Sequence, residues 1–538
     1  MFASFPYLSV LTLLPLLGAG VVAVLPRSKP GLVKTVALIW SLAVLGLAGA
    51  MYAAFQVNGP RFQFHESYPW IKAWGTRFTL EADGIALVMI ALIALLVPVV
   101  ILASWYDVDD RRPAGPAQVP ARDERKRSVP AYFGLLLALE FTMIGVFAAA
   151  DVFVFYVFFE VMLVPMYFLI GSYGGARRQY AAVKFFLYSL VGGLLMLAAV
   201  VGLWVVGRSQ LGHATFDWHE LTRLSMATST ERWLFLGFFV AFAIKAPFFP
   251  FHTWLPDAGG AAPAGAAALL VGVLDKVGTF GILRYCLPLY PHASRYFAPL
   301  GLALALVGIV YGALLAVGQN DLKRLVSYTS IAHFGFIGIG IFAFTTQAGT
   351  GAVLYMVNHG LATGLLFLVV GMFVARRGSA LVSDFGGAGK LIPALAGVFL
   401  IAGLASLSLP GTSPFVSEFL VLLGTFTVNK TVAVIATVGI ILAAAYVLWM
   451  VQRTTQGALN PALEKIDTMR RDISAREVAV VAPLIALILL LGFYPKPVLD
   501  VINPAVKATF TQLGTSDPNP AVHAQHPTTP PGTQGGGK

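Results

Sequence analysis

Apolar runs of roughly twenty residues, separated by short polar stretches, repeat along almost the whole of this chain. A helix crossing the hydrocarbon core of a bilayer needs about 20 mostly apolar residues, so each run predicts a membrane-spanning helix. About fourteen are expected by this rule: near 7–25, 32–54, 84–105, 131–150, 152–172, 181–206, 233–251, 264–290, 297–317, 327–344, 349–375, 393–426, 430–452 and 477–494. The 393–426 run is too long for one straight span and contains Pro410 and Pro414, so it counts as one broken helix. The expected fold class is therefore an all-α polytopic membrane protein. The first run has no basic flank and no small-residue cleavage site after it, so it is kept as a span rather than set aside as a signal peptide.

Composition agrees. Of 538 residues, 58% are hydrophobic and 11% charged, against about 25% charged in an ordinary soluble domain. A net charge of +11 would suggest nucleic acid in a soluble protein, but here its distribution matters more. Of the 36 Lys and Arg, 22 fall in or beside the loops after odd-numbered spans and 12 on the other side; Lys245 and Lys276 lie within spans. The positive-inside rule then makes the first side cytoplasmic and places both termini outside. The loop Arg111–Arg127 mixes six basic residues with acids and prolines and reads as a solvated cytoplasmic loop. A lone Cys286 excludes an internal disulfide and a thiolate-bound iron–sulfur cluster. No glycine fingerprint supports nucleotide binding. Residues 496–538, rich in Pro, Thr and Gly, are expected to be a disordered tail too short for an amphipathic arm.

Four ionisable residues interrupt the apolar runs: Glu160, Lys245, Lys276 and Glu418. A charge at a helix centre costs roughly 2.5–3.5 kcal/mol even on lenient insertion scales, and such residues usually line a polar path or pair with one another. Glu160 lies about 12 Å and Lys276 about 18 Å into their spans at 1.5 Å per residue. Asp275 stands beside Lys276, about 100° round the helix, as a partial counter-ion or facing elsewhere. Pro247 and Pro250 follow Lys245, and Pro410 and Pro414 precede Glu418. Helix breaks at membrane depth persist where the freed backbone is buried in protein or lines a hydrated cavity, and a pair of them points to inverted repeats around an ion site. His252, His333 and His359 lie within or beside spans; they fit polar or proton-relaying roles better than haem ligation. No metal site is expected.

At these residues the chain resembles the antiporter-like membrane subunits of respiratory complex I, the proton-pumping NADH:quinone oxidoreductase. The matching stretches are Asp83-Gly-Ile, the run from Gly145 through Asp151 and Glu160 to Tyr167, Lys245-Ala-Pro with His252-Thr-Trp-Leu-Pro-Asp257-Ala, and Asp275-Lys276-Val-Gly-Thr-Phe-Gly-Ile-Leu-Arg284-Tyr. Further along come Asp321 to His333, Asn358-His359-Gly-Leu, and Leu409-Pro-Gly-Thr with Glu418-Phe. Together they cover residues 80–430 in order.

The resemblance implies fourteen helices, two inverted five-helix repeats, two discontinuous helices and no cofactor in this chain. Flavin mononucleotide, iron–sulfur clusters and the quinone site would belong to partner subunits. It implies proton-translocating roles for Glu160 and its paired Lys245, for the central Lys276, for the linking His333 and His359, and for the terminal Glu418. Glu140 matches an often acidic position and, with Asp275, is a secondary candidate. A glutamate rather than a lysine at 418 is similar to the middle of the three such subunits, flanked by the other two. The implied division is an N-terminal three-helix segment with an outer loop and a charged cytoplasmic loop (1–130), a first repeat (131–290), a second repeat (297–452), a loop with the last helix (453–495), and the tail (496–538). The chain departs from the family pattern at Gly259-Gly-Ala-Ala-Pro263-Ala, which lacks the usual polar groups, and at Asp275, usually apolar. The expected function is proton translocation driven by quinone reduction in partner subunits, in a bacterial inner membrane. The alternatives are a subunit of a multisubunit cation/proton antiporter and a cofactor-bearing membrane oxidoreductase.

Overall fold

The structure is a computed structural model and describes residues 5–108 and 128–518. Among these, twelve helices are long and apolar enough to cross a membrane. They are α1 (Tyr7–Val24), α2 (Pro30–Ala54), α3 (Gly84–Ala103), α4 (Val129–Ala148), α5 (Val152–Tyr173) and α6 (Arg178–Leu211), then α9 (Ala264–Leu289), α10 (Pro291–Val317), α11 (Leu322–Phe342), α12 (Thr346–Arg377), α15 (Lys430–Thr455) and α16 (Ala475–Phe493). Between them lie two pairs of shorter helices: α7 (Thr228–Lys245) with α8 (Trp254–Ala261), and α13 (Pro393–Ser406) with α14 (Ser413–Phe426). The loop Arg111–Arg127 lies outside the described residues.

The helices start where short polar side chains supply acceptors for the free N–H groups of a first turn. Asp83 accepts from the N–H groups of Ile85 and Ala86, and Asp151 from those of Phe153 and Val154. Asp321, Thr345 and Ser474 cap α11, α12 and α16 in the same way. Burial sorts the bundle into rings. The most apolar stretches of α9 and α12 are entirely buried and that of α11 nearly so, whereas α2, α6, α10, α15 and α16 each turn large apolar side chains outward. The helices carrying Lys276, His333 and His359 therefore form the centre.

Alternate connections gather at opposite ends of the bundle. At one end an antiparallel hairpin, β1 (Gln63–Ile71) and β2 (Thr76–Ala82), pairs Tyr68 with Phe78 and Ser67 with Thr79. It is stitched to the α4–α5 connection by Ala150 N–H donating to Thr79 O (2.9 Å), and that connection to residues 216–218 by Trp218 N–H donating to Ala150 O (3.1 Å). At the other end Asp257 of α8 accepts from Lys184 of α6 (2.7 Å) and Arg324 of α11 (2.6 Å), and Arg376 of α12 pairs with Glu477 of α16 (2.8 Å).

The expected disordered tail is corrected in part. Lys496–Gln512 is a helix, α17, laid across the hairpin-end termini of α3 and α12. Val501, Ile502, Ala505, Val506, Thr509 and Phe510 form its buried face at helical spacing. A Cβ on Gly84 would stand 1.9 Å from Val501 O, and one on Gly349 would stand 2.4 Å from the Phe510 ring. Glycine at both places lets α17 lie this close. The proline and glycine content averaged over 496–538 hid a stripe confined to the first part, and residues 519–538 lie outside the described residues.

Candidate functional site: a buried polar line between two helix breaks

The first break follows Lys245. Pro247 has no N–H to donate and its ring obstructs the preceding turn. Phe248 N–H therefore bonds Ala243 O (2.9 Å), and the free carbonyl of Ile244 is taken by the indole N–H of Trp254 at the start of α8 (2.9 Å). Lys245 is left in the last turn of α7, fully buried, its Nζ over the Phe159 ring at 5.0 Å and near Phe185 at 5.6 Å. Such faces attract a cation through the ring quadrupole. Among the described residues Nζ makes no hydrogen bond.

Glu160 ends the first half of α5, which is interrupted at Met162 between Val152–Val161 and Leu163–Tyr173. Pro165, four residues after Val161, removes the donor that the Val161 carbonyl would otherwise bind. The Glu160 carboxylate lies over Gly193 of α6, where a Cβ would come within 1.5 Å of Oε1. Gly193 thus makes the space the carboxylate fills. Glu160 and Lys245 interact electrostatically without a hydrogen bond between them.

Lys276 lies in α9 between two wider π-turns, Leu270–Leu274 and Ile282–Cys286. Insertions of this kind often mark functional sites and free carbonyls from the regular ladder. Its Nζ donates to Val271 O, meets His359 Nδ1 of α12 at 2.7 Å, and lies 5.1 Å from the Phe334 ring centre. With the lysine donating, Nδ1 accepts and the ring proton sits on Nε2. The rings of His359 and His333 are 5.1 Å apart and nearly perpendicular. Asp275 is fully buried and interacts electrostatically with both Lys276 and Lys245.

Past the histidines the line continues through groups that sequence reasoning missed. His333 Nε2 is 3.5 Å from the hydroxyl of Tyr446 on α15, and the Tyr355 ring of α12 is 5.8 Å from that of His333. Both tyrosines interact electrostatically with Glu418, which also faces Ser408. Ser408 and Gly411 take left-handed backbone at the second break (φ 61° and 94°), and a positive φ is unusual for serine. Asn358 holds the start of α14 by donating to Ser413 O (2.7 Å) and Ser417 Oγ (3.3 Å). No backbone N–H among the described residues donates to Glu418, so it does not cap α14. A tyrosine one turn before His359 was the available signal for Tyr355; Tyr446, distant in sequence, offered none.

Not every candidate joins this line. Glu140 is fully buried in α4, and among the described residues neither hydrogen bond nor charged group meets either oxygen. His252 lies off the line against Phe249 and Tyr311. Among the described residues no group of three or more His, Cys, Asp and Glu could hold a metal ion.

Residues 149–443 match the family described as NADH:quinone oxidoreductase/Mrp antiporter, transmembrane. The chain is 48% identical to NADH-quinone oxidoreductase subunit M of Mycobacterium tuberculosis, covering 96% of each chain. It is similar to a chain of respiratory complex I from Thermus thermophilus (TM-score 0.82, 30% identity, 94% of this chain and 100% of that one). A chain of the Mrp complex from Dietzia shares the fold (TM-score 0.80, 20% identity, 94% of this chain and 98% of that one).

Proposed function

The chain belongs to the NADH:quinone oxidoreductase/Mrp antiporter transmembrane family, and on that premise we propose that it moves protons across the membrane as the subunit M of a bacterial complex I. The observation carrying this reading is the sequence of titratable groups that starts at the half-buried Glu160 and runs, buried, from Lys245 at the first helix break through Lys276, His359 and His333 to Glu418 at the second. Buried charges in membrane helices are expensive and mark ion paths. Nothing in this chain does redox chemistry in this reading. Flavin, iron–sulfur clusters and quinone belong to partner subunits, and the chain sits between two other antiporter-like subunits.

Counting each broken pair as one span gives fourteen, consistent with two inverted five-helix repeats. The 22-to-12 split of basic residues favours a cytoplasmic side at the Asp257 end and both termini outside with the hairpin. The antiporter alternative rests on the family description, which includes Mrp antiporters, and on a likeness of fold. An acid rather than a lysine at 418 and the 48% identity over nearly the whole chain favour complex I.

Glu160→Gln in the intact complex tests the reading. It keeps the shape over Gly193 and removes the charge. Proton pumping by inside-out vesicles oxidising NADH is expected to fall about 100-fold, at the low end of what a positioned proton-transfer group contributes, with assembly intact on native gels. Normal pumping would remove the Glu160–Lys245 end from the path.

A further inference from the structure

Helix α9 shows two different faces to two different neighbours. Toward α12 it presents Gly272 and Lys276, four residues apart and so on one face. A Cβ on Gly360 would meet Gly272 O at 2.6 Å, and Lys276 Nζ reaches His359. Toward α7 it presents Gly278 and Gly281. A Cβ on Gly278 would lie 2.5 Å from Phe242 O and 2.6 Å from Ala246 N, and one on Gly281 would lie 2.4 Å from the Phe242 ring. The backbones of α9 and α7 thus touch at the turn that carries Lys245. Asp275, three residues after Gly272 and three before Gly278, stands between the faces turned toward α12 and α7, with Lys276 about 100° round from it.

Asp275 is also fully buried, and among the described residues neither of its oxygens accepts a hydrogen bond. A bare carboxylate at such a place is strongly unfavourable unless charge partners compensate it. Its two electrostatic partners are Lys276 beside it and Lys245 across the helix contact. Lys245 Nζ is unbonded on a flexible four-carbon stem.

We propose that Asp275 is the proton carrier between Lys245 and Lys276, joining the two lysines across the contact of α7 with α9. The inference rests on the proton-translocation reading above. In the first step an N–H bond of the Lys245 ammonium breaks and an O–H bond forms on Asp275, leaving a neutral amine and a neutral acid. In the second the O–H bond breaks and an N–H bond forms on the Lys276 amine, which restores the carboxylate and places the cation beside His359. Charge is conserved at each step, and no other reactant is needed.

The test uses the complete complex in its native membrane, with Asp275→Asn, Asp275→Glu and Glu160→Gln compared. Asp275→Asn is expected to lower NADH-driven proton pumping about 100-fold with assembly preserved, and Asp275→Glu to retain most of it. In wild-type protein carrying carbon-13 aspartate, infrared difference spectra during turnover are expected to show the carbonyl stretch of a protonated carboxylic acid, replaced in Asp275→Glu by an unlabelled glutamic acid band. Absence of any such band, including where Asp275→Asn does not assemble, would overturn the carrier role and leave a fixed counter-ion. Wild-type pumping by Asp275→Asn beside a loss in Glu160→Gln overturns the carrier alone, while wild-type pumping by both overturns the path as well.

Discussion

The two helix breaks are built alike and charged oppositely. The first leaves a cation, Lys245, in the last turn of α7; the second is followed by an anion, Glu418, in the second turn of α14. Helix dipoles favour a cation at a C-terminus, which suits Lys245, whereas Glu418 stands beyond the first turn of α14. Their surroundings differ more. Lys245 is ringed by the faces of Phe159 and Phe185 and makes no hydrogen bond among the described residues, with Glu160 as a charge partner at a distance. Glu418 faces the hydroxyl-bearing Ser408, Tyr355 and Tyr446. At the first break the charge partners are Glu160 and Asp275, whereas at the second they give way to hydroxyl groups. One backbone device therefore sits in two kinds of surroundings, aromatic faces and charges at one place and hydroxyl groups at the other.

Reversing the sign at the first break gives the largest effect. Lys245→Glu sets an anion at the negative end of α7 near Glu160, and an uncompensated buried charge costs about 3–5 kcal/mol. Loss of the assembled complex on native gels is expected; a fully assembled complex would mean that charge and helix end are not matched.

At the second break Glu418→Gln keeps size and removes only the exchangeable charge. Since Glu418 does not cap α14, assembly should persist while pumping falls about 100-fold. Near-normal pumping would remove Glu418 from the proposed path.

The smallest effect concerns the hairpin end on the first-repeat side, where Glu81 of β2 meets His219 at 2.8 Å and His65 at 2.5 Å. Burial pushes the Glu81 carboxyl up, but hydrogen bonds and charge from His219 and His65 outweigh it and hold it below its usual range. The hydrogen bond to Glu81 raises His219; burial opposes this, while Asp217 adds to it and Arg284 detracts. The His219 contribution is in full force below about pH 6.5 and is lost as pH rises through its higher folded value. The Glu81 contribution is in force above about pH 4.3 and is lost as pH falls through its lower folded value. The latch is therefore strongest in mildly acid solution. Glu81 is buried but its histidine partners are partly exposed, so solvent screening keeps the latch to about 1 kcal/mol or less. Hydrogen exchange of the hairpin amides should quicken as pH rises above this window, after correction for intrinsic rates, and His219→Ala should flatten that dependence. An unchanged profile in the variant would remove the latch.

The spans and the four intramembrane charges were readable in the sequence because an ionisable residue inside an apolar run is a one-dimensional signal. So were both breaks, since proline removes a donor wherever it stands. What escaped is three-dimensional. Gly193 matters only because Glu160 lies over it, and Tyr446 only because α15 brings it to His333. Helix α8 lies outside the runs that predict spans, because its eight residues are too few to show a period. The interruption at Met162 had a sequence signal in Pro165, which the surrounding apolar run obscured. Helix α17 was hidden by averaging over a longer segment of mixed character.

In the proposed path Lys276 stands at the centre, its Nζ meeting His359. Lys276→Met keeps the stem and removes the titratable nitrogen. In inside-out vesicles holding the assembled complex, NADH-driven proton uptake is predicted to fall about 100-fold. Wild-type proton uptake by assembled Lys276→Met would contradict a proton path through the centre of this chain.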